Sequence, residues 1–281
     1  MKKAVLIFGF LFLISASSTF AQTGIRKVNF RNFTYKPLCV DEKPFAISVK
    51  NGKFLQKEES GSIENYLHFW VQSINYGDLD GDKKDEAVII TVCHTGGTGK
   101  FSEGYIYSIK NNKPVLKGRI AGGDRASGGL VSAKIEKGLL IVESNEEGGG
   151  GLCCPEFIVT NKFRLSNNKL SDFGKSTRRE LYPANRISFP KGASELTFQT
   201  EIGYRKRFVF TARKGQMLYV KVNQKDSPIY IREGNADSIK NGNSKEADGL
   251  IAKLNDDGDF VFDVNNNNEG SLIYTITVVI K

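Results

Sequence analysis

Histidine, tryptophan and methionine are nearly missing from this chain: its 281 residues include two histidines, one tryptophan and two methionines. The two histidines, His68 and His94, leave little material for a catalytic triad or a histidine-built metal cage. Methionine- and alanine-rich helical segments are scarce. Beyond one run near the start there is no long apolar stretch, so no membrane-spanning helix is expected in the rest of the chain. Charge is not gathered into one sign either. The formal net charge is +9, two of the lysines are Lys2 and Lys3, and the other basic residues are interleaved with acidic ones over both halves. A nucleic-acid binder concentrates its basic residues in a patch or stripe, so nucleic acid is not an expected partner. Residues 96–100 read Gly-Gly-Thr-Gly-Lys, but they lack the Gly-x-x-x-x-Gly-Lys-Ser/Thr spacing of a phosphate loop, and they read as a glycine turn between strands.

What the chain does have begins at its start. Lys2 and Lys3 precede an apolar run over 4–14, and Thr19 and Ala21 suit the −3 and −1 positions of a signal peptidase site. Residues 1–21 therefore read as a cleaved secretory signal, with a mature chain starting near Gln22. No cysteine follows that site, so a lipid anchor is not indicated. A periplasmic or secreted protein that does not span the membrane is expected.

Four cysteines remain, Cys39, Cys93, Cys153 and Cys154, an even number that in an oxidising compartment predicts two disulfides. Three connectivities are possible. A bridge between Cys153 and Cys154 closes a strained eight-membered ring, so each of these two is expected to pair with Cys39 or Cys93. His94 beside Cys93 makes no nucleophile pair, because adjacent strand residues point to opposite faces.

Aromatic and β-branched residues are plentiful, and glycine and asparagine are common, which fits short strands joined by tight turns. Strand character is read at 25–33, 45–49, 69–74, 86–92, 104–109, 130–135, 139–142 and 157–165. The 86–92 stretch, Glu-Ala-Val-Ile-Ile-Thr-Val, is a near-continuous β-branched run of the kind found in a buried strand. A polar segment without periodicity follows, and the pattern restarts at 196–202, 208–212, 217–222, 229–232, 260–264 and 272–280. The predicted fold is mostly β: a first β-rich module over 22–175, a linker over 176–186, and a β-sandwich module, jelly-roll-like, over 187–281. Trp70 is expected in the core, Glu146 and Glu147 in a solvated glycine loop, and the triplet Arg205-Lys206-Arg207 at a solvated strand end.

One motif carries specific chemistry. Residues 78–86 read Asp-Leu-Asp-Gly-Asp-Lys-Lys-Asp-Glu, which puts side-chain oxygens at loop positions 1, 3, 5 and 9 (Asp78, Asp80, Asp82 and Glu86) and leaves Lys84 to offer a backbone carbonyl at position 7. Calcium takes six to eight oxygens, and alternate carboxylates on a tight loop can point to one centre. An EF-hand is excluded, since position 12 is Ile89 and a strand follows at once. The loop resembles the calcium loops of FG-GAP and VCBS-type repeats, in which Lys83 replaces the usual glycine. That resemblance implies a structural Ca²⁺ held by Asp78, Asp80, Asp82, Lys84 and Glu86. The first module as a whole is similar to a family of exported bacterial proteins that share the Gly77–Asp82 loop, the Thr-Gly-Gly-Thr-Gly turn at 95–99 and the Cys-Cys-Pro at 153–155.

From Ile187 onward the chain resembles inhibitors of goose-type lysozyme and, more broadly, pre-peptidase C-terminal domains. The residues that carry the likeness are Ile187-Ser-Phe189-Pro-Lys191-Gly192, Gly203-Tyr204, the Phe208–Gln216 stretch with its Lys214-Gly215-Gln216 turn, and the last strand. The resemblance implies a β-sandwich that binds protein or carbohydrate. After Gly203-Tyr204 the inhibitors continue with acidic residues, whereas Arg205-Lys206-Arg207 stand here, and like charges would repel a basic lysozyme. No catalytic apparatus is visible. The expected function is that of an exported, non-enzymatic binding protein whose partner is a protein or an envelope polysaccharide; the alternatives are a lysozyme inhibitor and an envelope hydrolase.

Overall fold

The computed structural model describes residues 24–39, 45–56, 66–125, 127–148, 154–240 and 249–281. The expected signal segment and Cys153 lie outside them. The described chain is built of strands, with a single short 3₁₀ turn at Gly24–Lys27. No helix among the described residues is long and apolar enough to cross a membrane. The chain divides into two compact units. The first runs through Cys154 and resumes over Val159–Thr177; the second comprises Pro155–Ile158 and Arg178–Lys281.

In the first unit, β1 (Thr34–Tyr35) pairs antiparallel with β2 (Ile47–Ser48). A central sheet follows, built from β3 (Lys53–Gln56), β4 (Leu67–Gly77), β5 (Glu86–His94), β6 (Phe101–Lys110) and β7 (Lys113–Ile120), in that spatial order and antiparallel throughout. A second sheet orders β8 (Leu130–Glu136), β9 (Leu139–Glu147), β10 (Pro155–Ser166, of this unit from Val159 on) and β11 (Lys169–Asp172) consecutively, and β12 (Thr177–Glu180), which from Arg178 on belongs to the second unit, also pairs with β10. The central strand β5 is buried from Glu86 to Cys93. Its side chains alternate between two cores. Ala87, Ile89 and Cys93 pack with Ile25, Phe30, Tyr35 and Phe69 on one face. Val88 and Ile90 pack with Leu130, Ala133, Leu140 and Val142 on the other. A strand covered on both sides needs apolar residues at every position rather than at alternate ones, which is why this segment reads as an unbroken run.

The second unit is a β-sandwich. One sheet has the order β13 (Ala184–Arg186), β15 (Arg205–Ala212), β20 (Gly258–Asn265), β17 (Ile229–Glu233), with β13 parallel to β15. The other has the order β14 (Glu195–Ile202), β21 (Leu272–Ile280), β16 (Met217–Val222), β19 (Gly249–Leu254), β18 (Ala236–Lys240). Between them lies one core, in which Phe208 stacks on Phe262 at 5.3 Å and Phe210 on Phe260 at 5.9 Å, against Leu218, Val220, Tyr274, Ile276 and Val278. The buried Tyr274 hydroxyl shares a 2.8 Å hydrogen bond with Ser227. Gly215 takes φ +87°, as the Lys-Gly-Gln turn requires.

Several expectations need correction. Segment 25–33 is not a strand; it begins with the 3₁₀ turn that places Ile25 in the core. The segment read as a linker, 176–186, carries β12 and β13, whose charged residues hid their extended backbone. Trp70 is only half-buried, its ring tilted against that of His68 with centroids 4.8 Å apart. The cysteine pairing also differs. Cys39 bonds to Cys93, so neither can hold Cys153 or Cys154. Cys154 is itself disulfide-bonded. The physical reason is proximity: Cys93 faces the same core as Cys39, with a Cα separation of 6.1 Å.

The Cys39–Cys93 bridge spans 54 positions in sequence. Chain-entropy reasoning for a loop of that length gives a stabilisation of about 4 kcal/mol. A Cys39→Ser, Cys93→Ser variant should lose roughly that amount in urea unfolding, and non-reducing peptide mapping of the wild type should link the two peptides. A peptide joining Cys39 or Cys93 to the Cys153-Cys154 segment would contradict this pairing.

Candidate functional site

The loop joining β4 to β5 folds around its own acids. Asp78 accepts hydrogen bonds from the Gly81 and Lys83 amides at 2.7 and 3.0 Å, Asp80 from the Asp82 amide at 3.2 Å, and Asp82 from the Lys84 amide at 2.8 Å. Gly81 and Lys83 both take positive φ, +83° and +66°. Lys83 thus occupies a backbone conformation that favours glycine. Glu86, the first residue of β5, is 2% exposed and accepts the Leu79 amide at 2.9 Å. Burial foremost, with the charges of Asp80, Asp82 and Asp78 behind it, pushes the Glu86 carboxyl up to about 7 against the pull of the Leu79 hydrogen bond.

Of the expected metal-site residues, the structure brings three together. Asp78, Asp80 and Glu86 each offer a carboxylate oxygen within 4.8 Å of the others. Oxygens that share a calcium ion at 2.3–2.6 Å lie no more than about 5 Å apart, so this spacing suits a common cation. A buried carboxylate already crowded by two others is also the donor that gains most from a positive charge. Asp82 and Lys84 stand outside the trio. The Asp82 carboxylate takes the Lys84 amide on one oxygen and the Lys84 ammonium, at 3.4 Å, on the other. Both still line a cleft of about 370 Å³ beside Asp80 and Glu86. The neighbouring Asp85 pairs with Arg26, whose guanidinium lies 5.0 Å from the Tyr76 ring centroid.

A second charged cluster, in the second unit, was not legible as such in the sequence. Arg205 and Arg207 project from the outer face of β15, Asp263 from β20 and Arg232 from β17, and Glu156 lies over them. Glu156 accepts Arg205 at 2.9 Å, Arg207 at 2.8 Å and Arg232 at 2.8 Å. Asp263 accepts Arg207 through both oxygens, at 2.8 and 3.1 Å, and pairs with Arg232 at 3.4 Å. Asp263 and Glu156 are 2% and 7% exposed at their side chains, and Arg205 and Arg207 only 9% and 11%. Burial acts to raise the Glu156 carboxyl, but the Arg207 hydrogen bond and the charges of Arg207, Arg232 and Arg205 outweigh it, so the net displacement is downward. The basic triplet is therefore not a solvated strand end. Even Lys206 is engaged, with Thr200 and the Glu201 carbonyl. The available signal was Asp263, a lone acid inside the apolar Phe260–Val264 run opposite Arg207.

The discounted candidates sit as follows. The Cys93 thiol is consumed by its bridge, and His94 Nε2 bonds the Gly97 carbonyl at 3.1 Å. Gly96 and Gly97 take positive φ in the turn after β5. Glu147 is half-buried rather than solvated.

No family model and no curated protein matches the chain. Among solved structures it is similar to three periplasmic inhibitors of g-type lysozyme. The protein from Aeromonas hydrophila is 17% identical, with 35% of this chain and 96% of that one covered and a TM-score of 0.30. The one from Salmonella Typhimurium is 23% identical, with 35% and 97% covered and a TM-score of 0.28. A mutant of the Escherichia coli protein is 21% identical, with 35% and 97% covered and a TM-score of 0.29.

Removing one partner from a buried charge network strands the others, at a cost of about 3–5 kcal/mol. Glu156→Gln should therefore lower the unfolding free energy of the second unit by roughly that amount. The pH dependence has a definite sign. The folded-state value of Glu156 lies below its ordinary 4.5, so its contribution is complete above that value and is lost as pH falls through the folded value. Melting temperatures measured downward from pH 6 should fall in the wild type, and the variant should lack that part of the slope.

Proposed function

We propose that this chain is an exported, non-enzymatic binding protein whose first unit holds a structural calcium ion and whose second unit presents a binding surface to a protein or envelope polysaccharide. The observation that carries the reading is the use made of buried charge. Glu156 and Asp263 are tied by three arginines, and Glu103 is held by Arg119 and the Tyr105 hydroxyl. Groups committed to such contacts hold a framework rigid and are poorly placed to exchange protons with a substrate.

The calcium proposal rests on Asp78, Asp80 and Glu86, with Asp82 and the Lys84 carbonyl completing the expected set. A bound ion relieves the mutual repulsion of these carboxylates and fixes the turn that feeds β5, so binding and folding are linked. Extracellular calcium modules bind at about 10⁻⁴ to 10⁻³ M, so 10 mM calcium should stabilise the protein by about 1–3 kcal/mol. The melting temperature should rise in calcium and fall in EDTA, and Asp80→Ala should remove the difference. Identical melting of the wild type in calcium and EDTA would show the loop to be an ordinary turn.

A second reading, inhibition of goose-type lysozyme through the second unit, is favoured by one observation. Two of the arginines that would repel a basic enzyme are turned onto Glu156 and Asp263, whose two negative charges offset most of the positive charge gathered there. Full-length protein titrated into a goose-type lysozyme lysis assay should slow lysis in a saturable way. Unchanged lysis at large molar excess would dismiss inhibition and leave the calcium proposal standing.

A further inference from the structure

The first unit contains a cavity that neither the calcium loop nor the second unit uses. It measures about 560 Å³ and lies between β5, β6 and the segment that leads to Cys39. Its walls are mostly apolar, with Phe69, Ile120, Ala121 and the Cys39–Cys93 bridge beside Thr91 and Ser102. At the rim stand Leu38 and Phe101, 44% and 43% exposed. Against this apolar body sits one charged pair, Arg119 and Glu103.

The hydrogen-bond count within that pair is uneven. Glu103 already accepts from Arg119, from the Tyr105 hydroxyl at 2.7 Å and from the Leu38 amide at 3.3 Å, which nearly fills a carboxylate. Arg119 donates to Glu103 and to the Lys36 carbonyl, and its guanidinium lies 4.9 Å from the Tyr105 ring centroid. A guanidinium has five N–H donors, so donors remain for a third partner while acceptors are scarce. Volume, apolar walls and a few convergent polar groups are the ordinary attributes of a small-molecule site.

We infer that this cavity binds a small amphiphile, its apolar body against Leu38, Phe101 and the disulfide, and its acceptor-rich head, a carboxylate or sulfonate, on Arg119. Every residue that lines the site belongs to the first unit, and none belongs to the Asp78–Glu86 loop. Phe69 in the lining is fully buried, while the rim residues gain cover when the cavity fills.

The test uses the full chain and the dye 1-anilinonaphthalene-8-sulfonate, which carries both features. Its fluorescence should rise saturably with one dye per chain. Decanoate should displace it at concentrations at least tenfold lower than decanol does, since a charge-assisted hydrogen bond discriminates by about that factor. Ala121→Phe fills the cavity from an exposed position and should abolish binding with an unchanged melting temperature. Phe101→Ala, at a position already half open to solvent, should weaken binding severalfold and serves as the check if Ala121→Phe folds poorly. Unsaturable fluorescence, equal dye affinity in wild type and both variants, or equal displacement by decanoate and decanol would overturn the inference.

Discussion

The first unit is organised by the requirement to cover β5 twice. A strand buried on both faces must meet an apolar layer on each side, and here the β1–β2 side and the β8–β9 side supply them. Both ends of that strand are then fixed by something other than apolar packing. At its start, Glu86 carries a carboxylate into the buried layer, and the loop before it wraps its amides around Asp78, Asp80 and Asp82. At its far end, Cys93 is bonded to Cys39, which ties the covering segment to the strand. The acidic loop and the disulfide are therefore two anchors of one element rather than separate ornaments.

The second unit meets a related demand by different means. The inner faces of its two sheets bury phenylalanines against aliphatic residues, as any sandwich does. The outer face of the β13-β15-β20-β17 sheet is instead covered by a charge network in which three arginines meet two carboxylates. Such a network adds little net stability compared with an apolar layer, because desolvation offsets most of the attraction. Its members have narrow geometry, however, and an arginine fork accepts only a correctly placed carboxylate. Glu156 is thereby committed to one position on that face, together with the Leu181 amide that bonds its backbone carbonyl at 2.8 Å.

Much of this was legible in the residues, for physical reasons that can be named. β5 announced itself because both faces are buried, so Ala87–Ile90 are apolar without a break and Thr91 is the one hydroxyl before Val92. The Asp78–Glu86 loop was legible as a turn rich in alternate acids, and three of the five residues expected at the site converge. β12 and β13 were not legible: Thr-Arg-Arg-Glu and Ala-Asn-Arg carry no period-two pattern, since their residues are exposed on both sides. Cysteine pairing failed on an argument from ring strain alone. Strand alternation decides which thiols share a face, and Cys93 faces Cys39's core.

The basic triplet shows most clearly why charge in a sequence is a weak guide to charge on a surface. A formal +9 and the run Arg205-Lys206-Arg207 suggest an electropositive strand end. On a strand, however, positions 205 and 207 share a face, and that face holds Asp263 in direct register with Arg207. Lys206, on the opposite face, turns to Thr200 and the Glu201 carbonyl. Elsewhere Arg186 is matched by Asp259 and Arg26 by Asp85. Paired charges contribute little to the long-range field that steers a partner, so attraction or repulsion has to be judged from the charges left over. For the second unit this weakens the electrostatic objection to a basic partner, with one arginine in excess and Lys206 facing only uncharged oxygens, and creates no attraction to one.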